Sequence, residues 1–472
     1  MLLSNAGIVQ GAVLPSFAQA GDEAAATLSH VFYASGGFWQ ECNRTTCRRA
    51  NGDWGVDSAI DALFLRWTAT SDPSVGEIAS AELADGPQYP APCGGSSCPS
   101  WSDTPAWDAV AFMREYAILG HSQSALARAE SAFRYAALSP AFVGGACPAI
   151  PYQLPVGPGR VVKTLETDAN LIKAALLIYD ATRDPAYLDQ ARSRYAADRR
   201  YFLDSDGALY TVKVLDDGTS CVQQPRHFFA SVNGDMIWNG LELWRITGRQ
   251  RYYDEAVTTA SAVAVKLSDG RGVFVDLAGA NDVVEPLVDA MYDLATRERL
   301  SFARDWIVWN ATAALAARAP DGTFSRYFDG PPQAMASIWE STGGLALEIV
   351  AADLAPDATL PDDGWQSARV LAAPLTELPA TFAFDGSGIA LVGKIGPACE
   401  AAHLRVFIDG VETFDRTGLW QNHAMPAEDA VRFAWRWPTT GRHTIRLEAN
   451  DLASLGPDVI DLKIMVLGAG TM

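Results

Sequence analysis

From Ala24 to Asp353, apolar residues recur three and four positions apart, in runs separated by short loops of glycine, proline and aspartate. One cassette returns in step. Tyr179-Asp-Ala-Thr-Arg-Asp-Pro-Ala-Tyr187-Leu-Asp-Gln-Ala191 matches Trp244-Arg-Ile-Thr-Gly-Arg-Gln-Arg-Tyr252-Tyr-Asp-Glu-Ala256, with looser copies at Tyr116-Ala-Ile-Leu-Gly120 and Tyr292-Asp-Leu-Ala-Thr296. The copies fall roughly 50 to 65 residues apart, the spacing of a reused supersecondary unit. Each unit reads as a helical hairpin: an inner helix, a short turn, and an outer helix opening with Tyr-x-Asp-x-Ala. Counting such runs predicts about ten to twelve helices before Asp353. That suits an all-α (α/α)6 toroid whose inner helices line a central cleft. An open solenoid is the alternative, but the polar, aromatic-rich helix starts favour a closed ring with a pocket.

After Asp353 the period changes. Ala355-Pro-Asp-Ala-Thr-Leu-Pro-Asp-Asp-Gly364 reads as a linker, and the segments that follow alternate with period two. These are Thr381-Phe-Ala-Phe-Asp, Ile389-Ala-Leu-Val, His403-Leu-Arg-Val-Phe-Ile, Val431-Arg-Phe-Ala-Trp-Arg-Trp, His443-Thr-Ile-Arg-Leu-Glu and Val459-Ile-Asp-Leu-Lys-Ile-Met-Val. Asp409-Gly410 is a hairpin turn signal. The chain is therefore expected to be multi-domain: a helical unit over 21–354, a linker over 355–364, and an all-β, jelly-roll-like sandwich over 365–472.

Charge and cysteine usage narrow the function. The 472 residues carry a formal net charge of −20 without a lysine or arginine block. Nucleic acid and anionic membrane surfaces both need a basic footprint, so neither fits as a partner. A neutral or cationic ligand does, and sugars are neutral. The 14 tryptophans suit carbohydrate stacking as well as a large helical core. Of seven cysteines, Cys42 with Cys47 and Cys93 with Cys98 sit in polar loops where a short disulfide is easy. Cys147 with Cys221 make a plausible third pair, leaving Cys399 alone. Histidine is scarce, CxxC spacing is absent, and no Asp-x-Asp-x-Asp-Gly loop occurs, so no metal and no cofactor is expected. Disulfides imply an oxidising compartment. The apolar stretch Ala6–Ala18, ending in Ala18-Gln19-Ala20, reads as a signal-peptide remnant over 1–20, although it lacks a basic leader. No segment has the apolar length of a membrane span. The expected product is a secreted or cell-surface monomer.

The stretch Trp101-Ser-Asp-Thr-Pro-Ala-Trp-Asp108 concentrates the chemistry. Pro105 fits a first helical turn, and Ser102, Asp103 or Thr104 can each supply the cap oxygen. One reading makes Asp103 a cap, with Trp101 and Trp107 as packing. The other makes Asp103 a catalytic carboxylate between sugar-stacking indoles, kept ionised by the helix N-terminus.

The helical part resembles glycoside hydrolase family 76, the α-1,6-mannanases. The resemblance is carried by Trp54-Gly-Val-Asp-Ser, the Trp101–Trp107 stretch, Lys163-Thr-Leu-Glu-Thr-Asp-Ala-Asn170, Ser231-Val-Asn233-Gly-Asp235, Gly272-Val-Phe274-Val, Phe324-Ser-Arg-Tyr-Phe and Trp339-Glu340. The C-terminal part resembles galactose-binding-like β-sandwiches, notably in Gly441-Arg-His-Thr-Ile-Arg-Leu-Glu-Ala. The resemblance implies a secreted hydrolase of an α-linked, mannan-like polysaccharide that retains configuration, with two carboxyls about 5 Å apart.

It also exposes a departure. The family's two consecutive aspartates fall on Asp103 and Thr104, and threonine cannot act as an acid. Asp108, one turn along on the face of Thr104, is a candidate replacement. Glu166, Asp168, Asp235 and Glu340 are others; Glu166 and Glu340, with apolar neighbours, best fit a raised general-acid pKa. Trp54, Trp101, Trp107, Trp238 and Trp339 are candidate sugar platforms, and Asn170, Asn233, Arg226 and His227 candidate hydroxyl ligands. In the β part, Trp420, His423, Trp435 and Trp437 could meet saccharide, with a core stripe the alternative for the last two. Two other functions stay open: a non-catalytic carbohydrate-binding protein on a degenerate toroid, and another six-hairpin hydrolase or lyase. A lyase would want a basic cleft, against the acidic balance.

Overall fold

The computed structural model describes residues 15–34, 36–48, 54–89, 101–138, 145–149, 161–223, 228–275, 283–358, 365, 368–372, 378–395, 402–419, 425–449 and 462–468. Within these, twelve α-helices precede the C-terminal strands. Six are inner: α2 (Trp54–Thr70), α4 (Thr104–Ile118), α6 (Leu165–Thr182), α8 (Ala230–Thr247), α10 (Glu285–Thr296) and α12 (Ile338–Leu354). They touch in the order α2, α4, α6, α8, α10, α12, and α12 returns to α2, which closes a helical toroid. The other six, α1 (Phe17–Thr27), α3 (Ser74–Asp85), α5 (Gln123–Ala137), α7 (Pro185–Tyr201), α9 (Gln250–Lys266) and α11 (Ser301–Ala317), pack outside against them.

Burial separates the two layers. Outer helices bury one stripe: Ala125, Ala129, Ala132, Phe133 and Ala136 on α5, and Tyr252, Ala256, Thr259, Ala260 and Val263 on α9. The recurring tyrosine and alanine of the cassette are the anchors of that stripe. Tyr187 sets its ring 5.3 Å from Phe133, and Tyr252 sets its ring 5.4 Å from Tyr195. Inner helices are buried all round, continuously over Leu165–Leu176 on α6 and Ala230–Leu241 on α8. A helix enclosed on every side must place its charged residues inside, where each needs a partner.

Local chemistry sets the boundaries. Asp184 caps α7 through the Ala186 N–H at 2.9 Å, and Pro185 occupies the first turn. Left-handed residues end α6 at Arg183 and α8 at Gly248. Helix α1 begins at Phe17 and packs against α12, so the last four residues of the expected leader segment lie in a helix, with Phe17 and Ala20 in the core.

Short strands decorate the toroid: β1 (Tyr33–Ala34) pairs with β2 (Gly37–Phe38), and β3 (Glu41–Cys42) with β4 (Cys47–Arg48). A three-stranded sheet comprises β5 (Val161–Thr164), β6 (Lys213–Asp216) and β7 (Cys221–Gln223). Cys42–Cys47 ties β3 to β4, and Cys147–Cys221 ties β7 to the loop before β5. The expected Cys93–Cys98 pair and Cys399 lie outside the described residues.

The C-terminal unit holds β8 (Arg369–Ala372), β9 (Ala380–Ile395), β10 (Ala402–Ile408), β11 (Val411–Leu419), β12 (Ala427–Ala449) and β13 (Lys463–Leu467). All pairings are antiparallel, in the order β11-β10-β12-β9-β13-β8. The described strands are linked by hydrogen bonds in one six-stranded order, with the long β9 and β12 pairing through bulges. Asp409 and Gly410 take positive φ at the expected hairpin. Trp435 and Trp437 pack against the sheet's apolar cluster, which Val275 and Tyr327 of the helical unit also join. Trp420 and His423 lie outside the described residues.

Candidate functional site

The N-terminal ends of the inner helices meet at one mouth. Trp54 opens α2, Trp107 lies in the first turn of α4, Trp339 begins α12, and these three indoles cluster with Val283, just before α10. The rings of Trp54 and Trp339 are 5.7 Å apart and tilted by 54°. From the α6 side, Thr167 Oγ1 lies 2.9 Å from Ser102 Oγ, beside Asp103. Helix N-termini carry unpaired N–H groups and a partial positive charge, so the mouth suits carboxylates.

Asp103 occupies the cap position of α4 and is only 5 % exposed. Its carboxylate accepts from the Thr104 N–H at 3.0 Å, and its carbonyl accepts from Ala106 and Trp107 at 2.8 and 2.9 Å. Asp103 is thus the residue, among the three expected, that caps α4. Trp107 is 1 % exposed, and its indole N–H has no hydrogen-bond partner among the described residues. Trp101 stands at the rim, 44 % exposed. Glu340 follows Trp339 in the first turn of α12, buried, and Glu166 sits in the first turn of α6. The Glu166 N–H is capped by Thr164 Oγ1 at 3.1 Å. One turn along, Asn170 donates to the Glu166 carbonyl at 2.9 Å, and its own Oδ1 is buried with no donor among the described residues. The Arg326 guanidinium lies 5.2 Å from the Trp339 ring centre. That arginine stands inside Phe324-Ser-Arg-Tyr-Phe, yet nothing in the sequence points its side chain at Trp339.

Other candidates lie elsewhere. Asp108 faces away from the mouth, between α2, α3 and α4, where its carboxylate accepts from the Tyr89 hydroxyl. It borders a cavity of about 20 Å³ shared with Asp57, Glu82 and Glu115. Burial first, then the Glu82 charge, pushes the Glu115 carboxyl well above the usual carboxylate range. Asp168 turns to the outer layer and pairs with Arg194 of α7. Asn233 spends its amide on backbone, accepting from Tyr210 N–H at 2.9 Å and donating to the carbonyls of Tyr210 and Phe229 at 3.1 and 2.8 Å. Arg226 and His227 lie outside the described residues.

Asp235 and Trp238 belong to the axis of the toroid, in a network the sequence did not reveal. Arg114 Nε is 2.9 Å from Asp61, and its guanidinium also binds Asp289. Lys173 Nζ lies 3.0 Å from Asp235 and 3.3 Å from Asp289. Five of the six inner helices thus contribute one buried charge each. Burial pushes Asp235 up to about 6 against the opposing pull of Lys173. Burial would also raise Asp289, but Arg114 and Lys173 outweigh it and hold Asp289 below the usual range. Beyond the network, at the C-terminal ends of the inner helices, a cavity of about 470 Å³ is lined by Phe64, Arg114, Trp238, Tyr292, Asp293 and Asp353.

No protein-family model matches the chain, and no curated protein matches it. Solved structures do. The GH76A alpha-1,6-mannanase from Salegentibacter sp. HEL1_6 is 18% identical, with 72% of this chain and 99% of that chain covered and a TM-score of 0.60. An inactive variant of that enzyme, with two consecutive aspartates changed to alanine, was solved in complex with alpha-1,6-mannotetrose (17% identity, 72% and 100% covered, TM-score 0.60). A GH76 alpha-mannanase from Bacteroides thetaiotaomicron is 16% identical, with 72% and 96% covered and a TM-score of 0.58. The likeness is one of fold: this chain carries the fold of the family 76 α-1,6-mannanases.

Proposed function

We propose that this protein is an extracellular glycoside hydrolase of α-linked, mannan-like polysaccharide, built on an (α/α)6 toroid with Asp103 as its catalytic carboxylate. The observation that carries the proposal is the buried Asp103 capping α4, the helix whose first turn brings Trp107 into a cluster with Trp54 and Trp339, in the fold of the α-1,6-mannanases. Indole faces stack on the C–H faces of a sugar and exclude water. Asp103 attacks the anomeric carbon as the glycosidic oxygen takes a proton, and water then hydrolyses the glycosyl ester. Glu340 supplies that proton in this reading: it is buried, next to Trp339, in the first turn of α12. Glu166 of α6 and Glu285 of α10 are further buried carboxyls in first turns of inner helices. The disulfides support an oxidising compartment.

Thr104, at the first position of α4, favours a second reading, a toroid that binds saccharide without cleaving it. Incubating the wild type, Glu340→Gln and Thr104→Asp with α-mannans, α-glucans and arabinose-containing polysaccharides, and weighing the products, separates the two. Hydrolysis by the wild type, lost in Glu340→Gln, supports the enzyme. Retention of polysaccharide without product, with cleavage gained only in Thr104→Asp, identifies a binding protein. Hydrolysis that survives in Glu340→Gln would reassign the acid to Glu166.

A further inference from the structure

At the end of the toroid opposite the mouth, the inner helices finish around the cavity of about 470 Å³. All six contribute to its wall, through Thr68 of α2, Arg114 of α4, Asp180 of α6, Trp238 and Glu242 of α8, Asp293 of α10 and Asp353 of α12. Thr68, Asp180, Asp293 and Asp353 stand in the last turns of their helices. A helix C-terminus leaves carbonyl oxygens unpaired and carries a partial negative charge, so the backbone alone biases this cavity toward a cation.

The side chains deepen that bias. On the axis, Arg114 and Lys173 serve three buried carboxylates, Asp61, Asp235 and Asp289. Asp235 Oδ2 is buried with no donor among the described residues. At the wall, Arg245 and Arg297 serve Glu242, Asp293 and the neighbouring Glu298. Asp353 accepts from the Tyr292 hydroxyl at 2.7 Å and pairs with no cation among the described residues. Seven carboxylates thus share four cations, while Asp180 has its own exposed partner in Arg183. Negative charge gathered in a partly dry site is costly until a positive charge joins it.

The cavity is also more than an ion hole. Its volume falls within the range of small-molecule pockets, about 300–1,000 Å³. Leu176, Leu177 and the 7 % exposed Trp238 give it an apolar wall that a bare inorganic ion would not use. An indole face attracts ammonium groups, and the Trp238 ring centre already lies 5.5 Å from Lys173 Nζ.

We propose that this cavity is a second binding site, separate from the mouth, for a small organic ammonium ion. The ammonium group meets the carboxylate of Asp353, where no cation stands, and the carbon frame lies along Trp238 and the two leucines. The charge excess selects the cation over a neutral sugar or an acid, and the apolar wall selects an organic cation over a metal ion. No residue of this site belongs to the mouth, so the proposal does not rest on the glycosidase reading.

Isothermal titration of the full chain at neutral pH with n-butylammonium, 1-butanol and butyrate tests it. The ammonium ion should bind one to one, and the neutral and anionic isosteres at least about tenfold more weakly, the scale of one charged hydrogen bond. Asp353→Asn keeps an acceptor for Tyr292 but removes the charge, and should weaken n-butylammonium about tenfold. Glu242→Gln serves the same purpose should Asp353→Asn not fold. Trp238→Leu should weaken it about threefold, whereas Glu340→Gln, at the mouth, should leave it unchanged. Absence of n-butylammonium binding, equal binding of 1-butanol, or binding that survives both Asp353→Asn and Glu242→Gln overturns the site. Binding lost in Glu340→Gln and kept in Asp353→Asn puts the amine at the mouth, and overturns it too.

Discussion

Asp103 caps α4, the helix whose first turn carries Trp107 into the indole cluster at the mouth. The cap was readable because Pro105 and the Ser-Asp-Thr run leave few other helix starts. The orientation of Asp108 was not. A helical spacing says which residues share a face, but not which neighbouring helix that face meets, and here the face meets α2 and α3. The axis network was hidden for the same reason. Asp61, Arg114, Lys173, Asp235 and Asp289 are scattered through the sequence and become one cluster only when the ring closes. Its energetics give a direct prediction. Arg114→Met removes the cation between Asp61 and Asp289 and leaves both buried without it, so it should cost about 3–5 kcal/mol in denaturant unfolding. Lys173 alone cannot compensate, since Asp235 already claims it.

At the scale of elements, the helical repeat was legible because its anchors are large and periodic. The cassette tyrosines set their rings against the preceding outer helix, and each recurrence marks a new hairpin. Glycine 234 illustrates a contact that no periodicity announces. On α8 it faces α10, and an added Cβ would stand 2.3 Å from the Leu287 nitrogen and 2.4 Å from the Pro286 carbonyl carbon. Alanine gains about 1 kcal/mol of helix propensity over glycine, but backbone atoms cannot rotate aside as a side chain can. Gly234→Ala should therefore destabilise by about 2 kcal/mol net, seen as a lower denaturant midpoint at unchanged slope. The long-range disulfide, expected as a plausible third pair, spans 74 residues. Replacing Cys147 and Cys221 together with serine should cost about 2–4 kcal/mol, and the difference should vanish when both proteins are assayed under reducing conditions.

For the whole molecule, the change from helical to alternating period located the two units, but not how they meet. The sheet lies on the toroid through Val275, Tyr327 and Trp365, and the Arg436–Asp329 ion pair beside them joins residues far apart in the chain. The long β9 and β12 pair with each other through bulges, which no alternating pattern announces. The proposed site lies where the inner helices begin. The most direct measurement is the rate of cleavage of α-1,6-mannotetraose by the wild type and by Asp103→Asn, with binding of the same sugar followed in parallel. The account requires cleavage by the wild type and a fall of about 10⁴-fold or more in the variant, the scale on which a member of a catalytic unit is lost, with binding preserved. Equal rates in the two proteins, or binding by both with cleavage by neither, would contradict it.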